Sequence, residues 1–148
     1  MENAIKFLRI QNFKSIKDVT LHPRRVNLII GEPNVGKSNL LEAMSLLGGI
    51  TYEQGDKFME SFIRYEELRQ LFYDNLVGNT IKVETDKNVA LLVFKNYTKQ
   101  FEYLFCGLEF YAGLVKQTMK PNKVEPEVED SMAILSLPHY LGSVNSDD

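Results

Sequence analysis

The apolar positions of the first fifty residues predict three strands and a helix. Loose alternation in IKFLRIQNF and SIKDVTLHP indicates two strands that pair as a hairpin. The run VNLII, at residues 26–30, is rich in β-branched residues and bounded by turn residues, which is typical of a buried central strand. Apolar residues then fall at helical spacing from Lys37 to Leu47, and Gly48 and Gly49 predict the end of this helix.

The middle of the chain predicts a second helix followed by an antiparallel meander. Residues 56–76 carry one apolar stripe at helical spacing, and Glu60 and Arg64 form an i,i+4 pair on the other side of the predicted helix. We expect this stripe to pack in the core; its members are Phe58, Phe62, Tyr65, Leu68, Phe72 and Leu76. The strand-like segments TIKVE, NVALLVFK and QFEYLFC follow, joined by short polar links. GLEFYAGLVKQTM is compatible with a helix, and the proline and acidic residues after it predict a linker or mobile tail over residues 121–148.

Composition narrows the class of protein without assigning a function. The chain has 148 residues, of which 44% are hydrophobic and 25% charged, and these values favour a single globular domain. A net charge of −3 gives no general attraction to nucleic acid or acidic membranes. Cys106 is the only cysteine of the sequence, which excludes an internal disulfide and a cysteine-rich zinc site. With no signal-peptide pattern and no apolar run of about 20 residues, we expect a cytoplasmic protein.

A glycine-rich loop separates the VNLII run from the predicted helix. Gly31, Gly36, Lys37 and Ser38 complete the pattern G-x-x-x-x-G-K-[ST], and we call residues 31–38 the glycine loop. Successive N–H groups of such a loop form a nest for phosphate at the positive end of the following helix. Lys37 adds a charge for the β- and γ-phosphates, and the Ser38 hydroxyl can ligate Mg²⁺. Asn34 tolerates left-handed dihedral angles and is expected at the sharp corner of the loop.

The pattern therefore predicts a nucleotide-phosphate site. Its residues within the loop are Gly31, Asn34, Val35, Gly36, Lys37 and Ser38, and Ser38 is the expected metal ligand. The motif has the strand-to-helix context that such loops require, because it follows an apolar run and opens an amphipathic helix.

Residues 5–47 resemble a known family in both motif and order of elements. The stretch IKFLRIQNFKSIKDVTLHPRRVNLIIGEPNVGKSNLLEAMSLL resembles the amino-terminal lobe of ABC-type ATPases related to RecF, to SMC proteins and to the overcoming-lysogenization-defect (OLD) nucleases. Those proteins open with a strand, an "NF+S" turn, a second strand and a P-loop ending in GKSNLLEA. The resemblance implies an AAA-type ATP-binding protein, with Lys14 and Ser15 near the bound nucleotide and Asn39 as a family-typical residue after the loop.

The fold implied is an α/β P-loop NTPase lobe with a mixed sheet, an antiparallel meander and a P-loop helix. We expect one nucleotide-binding lobe over residues 1–148, with its core in residues 1–50, the helix and meander in 51–120, and the tail in 121–148.

The motifs that such ATPases use for hydrolysis are not found in this sequence. No apolar run ends in the two acids that would help to hold Mg²⁺ and position water, and LSLPH at residues 135–139 does not match the family's Leu-Ser-Gly-Gly signature. Gln117 is a candidate by position for the glutamine that contacts the γ-phosphate. The catalytic residues are therefore unknown, and we expect the chain to be the front part of a larger ATPase, incomplete for hydrolysis alone. The expected partners are ATP, a downstream segment or a second copy as a head dimer, and nucleic acid through the parent machine.

Three alternatives remain open. The chain could be a complete small P-loop module with a regulatory function. A GTPase is disfavoured because TDKN, at residues 85–88, has the wrong order for the base-reading Asn-Lys-x-Asp motif. A small-molecule kinase is disfavoured because no arginine-bearing lid is evident.

Overall fold

The computed structural model describes residues 4–51, 58–118 and 132–136. Its strands and helices are β1 (Leu8–Phe13), β2 (Ile16–Leu21), α1 (Lys37–Ser45), β3 (Ile81–Thr85), β4 (Asn88–Lys95), β5 (Gln100–Gly107), α2 (Leu108–Thr118) and β6 (Met132–Ser136). Short 3₁₀ segments lie at Leu46–Thr51, Leu68–Leu71 and Tyr73–Asn75.

The strands form one six-stranded sheet in the order β2-β1-β3-β4-β5-β6. The predicted hairpin is confirmed, because Phe13 pairs with Ile16 across a two-residue turn, and so is the meander of β3, β4 and β5. The predicted α/β fold with a helix after the glycine loop is also confirmed, and it is compatible with a P-loop NTPase lobe. The expectation of a mixed sheet is wrong for the described strands, since each of their pairings is antiparallel.

One face of the sheet forms the core against α1 and the segment from residue 58 to residue 72. Strands β1, β3, β4 and β5 each contribute fully buried side chains to this face, and strict alternation of buried and partly buried side chains is seen in β3; examples of the buried side chains are Ile10, Val83, Leu92 and Tyr103. The Tyr103 hydroxyl donates a hydrogen bond to the Leu46 carbonyl, and burial raises the pKa of this tyrosine. A Cβ on Gly49 would lie 2.7 Å from the Tyr103 ring, so the chain after α1 approaches the sheet very closely.

Helix α2 lies on the opposite face of the sheet. Lys82 alternates with the buried residues of β3, and its ammonium lies 4.9 Å from the centre of the Tyr111 ring in α2. The helix matches the segment that the sequence marked as compatible with one.

The prediction of a buried central strand at residues 26–30 is wrong. The segment has no strand geometry, and Val26, Leu28 and Ile30 are each more than 80% exposed. A short apolar run becomes a buried strand only where neighbouring strands pair with it, and none of the described strands does so.

The long helix predicted over residues 56–76 is also wrong for the described residues 58–76, which form turns and the two short 3₁₀ segments. Left-handed dihedral angles interrupt this stretch at Met59, Asp74 and Asn75, and an α-helix cannot pass through such positions. Core packing of the stripe is only partly confirmed: Phe58, Leu68 and Phe72 are buried, whereas Phe62 and Leu76 are exposed.

The predicted tail contains a strand. Residues 132–136 form β6, which pairs with β5 along Glu102 to Cys106 and thereby completes the described sheet. Residues 121–131 and 137–148 of the predicted tail lie outside the described residues.

Candidate functional site

The glycine loop has the backbone conformation that its sequence predicts. Asn34 has a φ of 62° and Gly36 a φ of 90°, so both lie in the left-handed region. Asparagine and glycine are the residues that adopt this region most readily, and the expectation that Asn34 occupies a sharp corner is confirmed. Gly31 lies close to the far side of the loop, because a Cβ there would be 3.2 Å from a methyl group of Val35.

The turn of the β1–β2 hairpin packs against the glycine loop. A Cβ on Gly36 would lie 2.6 Å from the Ser15 hydroxyl oxygen, which no side chain could tolerate without movement. The same oxygen accepts a hydrogen bond of 2.8 Å from the Asn39 amide in α1. The fold therefore brings Ser15 and Asn39, separated by 24 residues, into contact beside the glycine loop.

Helix α1 presents an uncapped N-terminus at the end of the glycine loop. Gly36 is its N-cap residue, no side chain caps it, and no acidic residue occupies its first turn. The first N–H groups of a helix have no partner within the helix and carry about half a positive charge between them. This end of α1 therefore has the free N–H donors and the positive partial charge that can bind an anion.

The Lys37 ammonium folds back over the glycine loop. It donates one hydrogen bond of 2.7 Å to the Gly31 carbonyl and another to the Glu32 carbonyl. Both acceptors are neutral, whereas a phosphate oxygen is charged and forms a stronger bond with an ammonium. Lys37 can thus turn to an incoming phosphate at little cost, because the phosphate replaces weaker acceptors.

Lys14, the basic residue of the hairpin turn, is bound to side chains and backbone outside the glycine loop. Lys14 donates hydrogen bonds to the Glu42 carboxylate and, at 2.6 Å, to the Arg64 carbonyl. Arg64 in turn donates from Nε to the other Glu42 oxygen at 2.7 Å. We call Lys14, Glu42 and Arg64 the ionic triad.

Glu42 is the buried member of the ionic triad. Only 7% of this residue is exposed, and burial acts to raise the pKa of its carboxyl group. The hydrogen bonds and charges of Lys14 and Arg64 outweigh this effect and hold the pKa of Glu42 below its usual value. The side chain is therefore a carboxylate at neutral pH and joins the hairpin turn to α1.

A cavity of about 280 Å³ lies over the glycine loop and the start of α1. It is lined by Asn34, Gly36, Lys37, Ser38, Asn39 and Arg64. Five of these six residues are predicted site residues, whereas Gly31, Val35, Lys14 and Ser15 lie near the cavity without lining it. Gln117 belongs to α2, and its side chain lies outside the described part of the structure.

Arg64 is the lining residue that sequence reasoning missed. The helical pattern paired it with Glu60, but the stretch is not a helix, and Arg64 binds Glu42 instead. Nothing in the sequence places residue 64 beside residue 37, because the path of the chain between them depends on turns that no motif marks.

The cavity residues suit the phosphates of a nucleotide. The lining contains an ammonium, a guanidinium, amide and hydroxyl groups and an uncapped helix end, and no described lining residue carries a carboxylate. The Ser38 hydroxyl is exposed in the first turn of α1, where it can serve as an oxygen ligand of the kind that Mg²⁺ prefers.

Comparison with known protein families gives a match over most of the chain. A family model described as AAA ATPase domain matches residues 4–131. No curated protein matches the chain. In the described residues, no helix has the length and apolar character needed to cross a membrane.

Proposed function

The chain belongs to the AAA ATPase domain family, and we propose that it binds ATP and Mg²⁺ through the glycine loop as one lobe of a RecF-, SMC- and OLD-like ATPase head. Membership of the family assigns nucleotide-binding ATPase function in general. The observation that carries the finer proposal is the glycine loop itself, with two left-handed residues, an uncapped helix end and a lysine in one cavity.

The proposal gives each loop residue a distinct task. Gly36 allows the phosphates to approach the backbone, and the first N–H groups of α1 bind the phosphate oxygens. Lys37 exchanges its bonds with the Gly31 and Glu32 carbonyls for bonds to the β- and γ-phosphates. Ser38 would hold Mg²⁺, which neutralises charge on the phosphates when it is bound.

The hairpin turn supports the assignment to the RecF, SMC and OLD group. In the RecF, SMC and OLD group that the sequence resembles, the turn after the first strand lies beside the nucleotide. Here Ser15 lies against Gly36 and accepts a hydrogen bond from Asn39, so the turn is in contact with the loop.

Hydrolysis in this proposal needs groups from another segment, either downstream in the same ATPase or in a second copy that forms a head dimer. The exposed apolar side chains of residues 26–30 support the presence of such a second segment or copy, because exposed apolar patches are common where another protein segment packs. Nucleic acid would bind through the larger ATPase of which this lobe is one part. A cytoplasmic location of the protein stays a prediction.

Titration calorimetry with ATP and Mg²⁺ tests the proposal. We expect Lys37→Ala to weaken ATP binding by about 10- to 150-fold, the range of a charged hydrogen bond worth roughly 1.5–3 kcal/mol. Lys116→Ala is the matched control, since Lys116 is an exposed lysine in the last turn of α2 on the opposite face of the sheet. Equal ATP affinity in the wild type and Lys37→Ala would exclude the site.

Competition with GTP tests the nucleotide type. We expect ATP to be preferred only weakly, because the cavity lining consists of polar and charged groups that suit phosphate, and contacts to phosphate do not distinguish the bases. A preference for GTP of about a hundredfold or more, roughly 2.7 kcal/mol, would favour the GTPase alternative.

A further inference from the structure

We propose that Arg64 is a second phosphate-binding cation of the site and that Glu42 positions it there. This inference rests on the proposed function, because it names a further contact to the same nucleotide. Neither residue belongs to the G-x-x-x-x-G-K-[ST] motif.

The first argument is location. Among the residues that the structure describes, Arg64 is the single lining residue of the cavity that lies outside the glycine loop and α1. It reaches the cavity from the turn-rich segment after α1, so the cavity has a second cation from a different part of the chain than Lys37.

The second argument is how the guanidinium is held. The bond to Glu42 uses Nε–H, while the terminal amino groups of an arginine carry four further N–H donors in a planar fork. The Arg64 side chain is 76% exposed although its partner carboxylate is 8% exposed. One edge of the guanidinium is thus fixed on a buried anchor, and its outer end is accessible to a ligand. This fork matches the geometry of phosphate oxygens.

The third argument is charge. A single carboxylate beside Arg64 would cancel its charge and reduce its attraction for phosphate. In the ionic triad the other oxygen of that carboxylate is bound by Lys14, so two cations share one anion and a net positive charge remains. Lys14 does not line the cavity, and its role is to neutralise Glu42 so that Arg64 keeps its attraction for phosphate.

The test is ATP binding by Arg64→Ala, measured by calorimetry with Mg²⁺ at several salt concentrations. We expect the affinity to fall by about 5- to 30-fold and to depend less steeply on salt, because one cation no longer faces the phosphates. Arg69→Ala is the matched control, since Arg69 is an exposed arginine five positions away that does not line the cavity. Arg64→Gln keeps a polar side chain of similar length and replaces the alanine variant if that variant does not fold.

The outcomes separate this inference from the proposed function. If Lys37→Ala loses ATP affinity while both Arg64 variants bind like the wild type, Arg64 is not a phosphate ligand and the proposed function stands. If Lys37→Ala also binds like the wild type, both proposals fail.

The role of Glu42 is tested by a double-mutant cycle. We expect Glu42→Gln to weaken ATP binding in the wild type by several-fold and to have no further effect in Arg64→Ala, because it acts through Arg64. Equal effects of Glu42→Gln in the two backgrounds would show that Glu42 does not position Arg64.

Discussion

Replacement of Gly36 by alanine tests the geometry of the glycine loop. An L-residue in the left-handed region costs about 1–2 kcal/mol, and Gly36 has a φ of 90°. The new Cβ would lie 2.6 Å from the Ser15 hydroxyl oxygen, so Ser15 must move away from its 2.8 Å hydrogen bond with Asn39. Loss of that bond costs about 1 kcal/mol. We therefore expect Gly36→Ala to lower the free energy of unfolding by about 2–3 kcal/mol.

Urea unfolding provides the measurement, and Gly48→Ala provides the control. Apart from its chain neighbours, no atom of the described residues would lie within 4 Å of a Cβ on Gly48, and the φ of Gly48 is not in the left-handed region. We expect that variant to change the free energy of unfolding by less than about 1 kcal/mol, and in the stabilising direction, because alanine restricts the unfolded chain.

The two parts of the effect can be separated with Ser15→Ala. In that background the hydroxyl is absent, so Gly36→Ala should cost only the strain of the left-handed backbone, about 1–2 kcal/mol. Equal unfolding midpoints for Gly36→Ala and Gly48→Ala would refute the reasoning, because position 36 would then accept a side chain as readily as an open position does.

Three further predictions concern burial, acid stability and turnover. Leu92→Ala should lower the free energy of unfolding by about 2–5 kcal/mol, because Leu92 is fully buried. Leu28→Ala should lower it by less than about 0.5 kcal/mol, because Leu28 is 82% exposed. Equal losses in urea unfolding would contradict the exposed position of residues 26–30. The folded-state pKa of Glu42 is lowered, so its contribution to stability is present above the unfolded-state pKa of about 4.5 and is lost as the pH falls through the folded-state pKa. Glu42→Gln should therefore make the free energy of unfolding depend less on pH in this acid range. An unchanged pH profile would contradict a lowered folded-state pKa for Glu42. The 148-residue chain alone should release phosphate from ATP more slowly than about once per minute, and faster release that disappears in Lys37→Ala would show a catalytic acid within it.

Local patterns predicted the elements whose geometry depends on local sequence. Strand alternation located β1, β2 and the meander, and helical spacing after Lys37 located α1, because these periods follow from the backbone geometry of each element. The left-handed corner at Asn34 was predictable for the same reason, since few residue types adopt it.

The failures involve properties that neighbours determine. Residues 26–30 have the composition of a buried strand, but burial depends on which strands pair with them, and that information is not in the segment. Arg64 was assigned to a helix face because its apolar neighbours have helical spacing, while the actual turns follow from left-handed positions such as Met59 that have no strong sequence signal. The glycine-loop residues of the candidate site were therefore predictable, and the position of Arg64 in the cavity lining was not.

The pairing of β1 with β3 has a consequence for the order in which the protein folds. Leu8 pairs with Thr85 and Gln11 with Lys82, so about seventy residues, including the whole glycine loop, lie between two adjacent strands. Contacts so distant in sequence form slowly, because the entropy of closing a long loop opposes them. Helix α1 packs against β1 and the core beside it, and this support is complete only after β3 has joined β1. During synthesis, the loop is translated early but gains its rigid base only once residues near 85 have left the ribosome, so we expect nucleotide binding to appear late in folding although its motif is complete by residue 38.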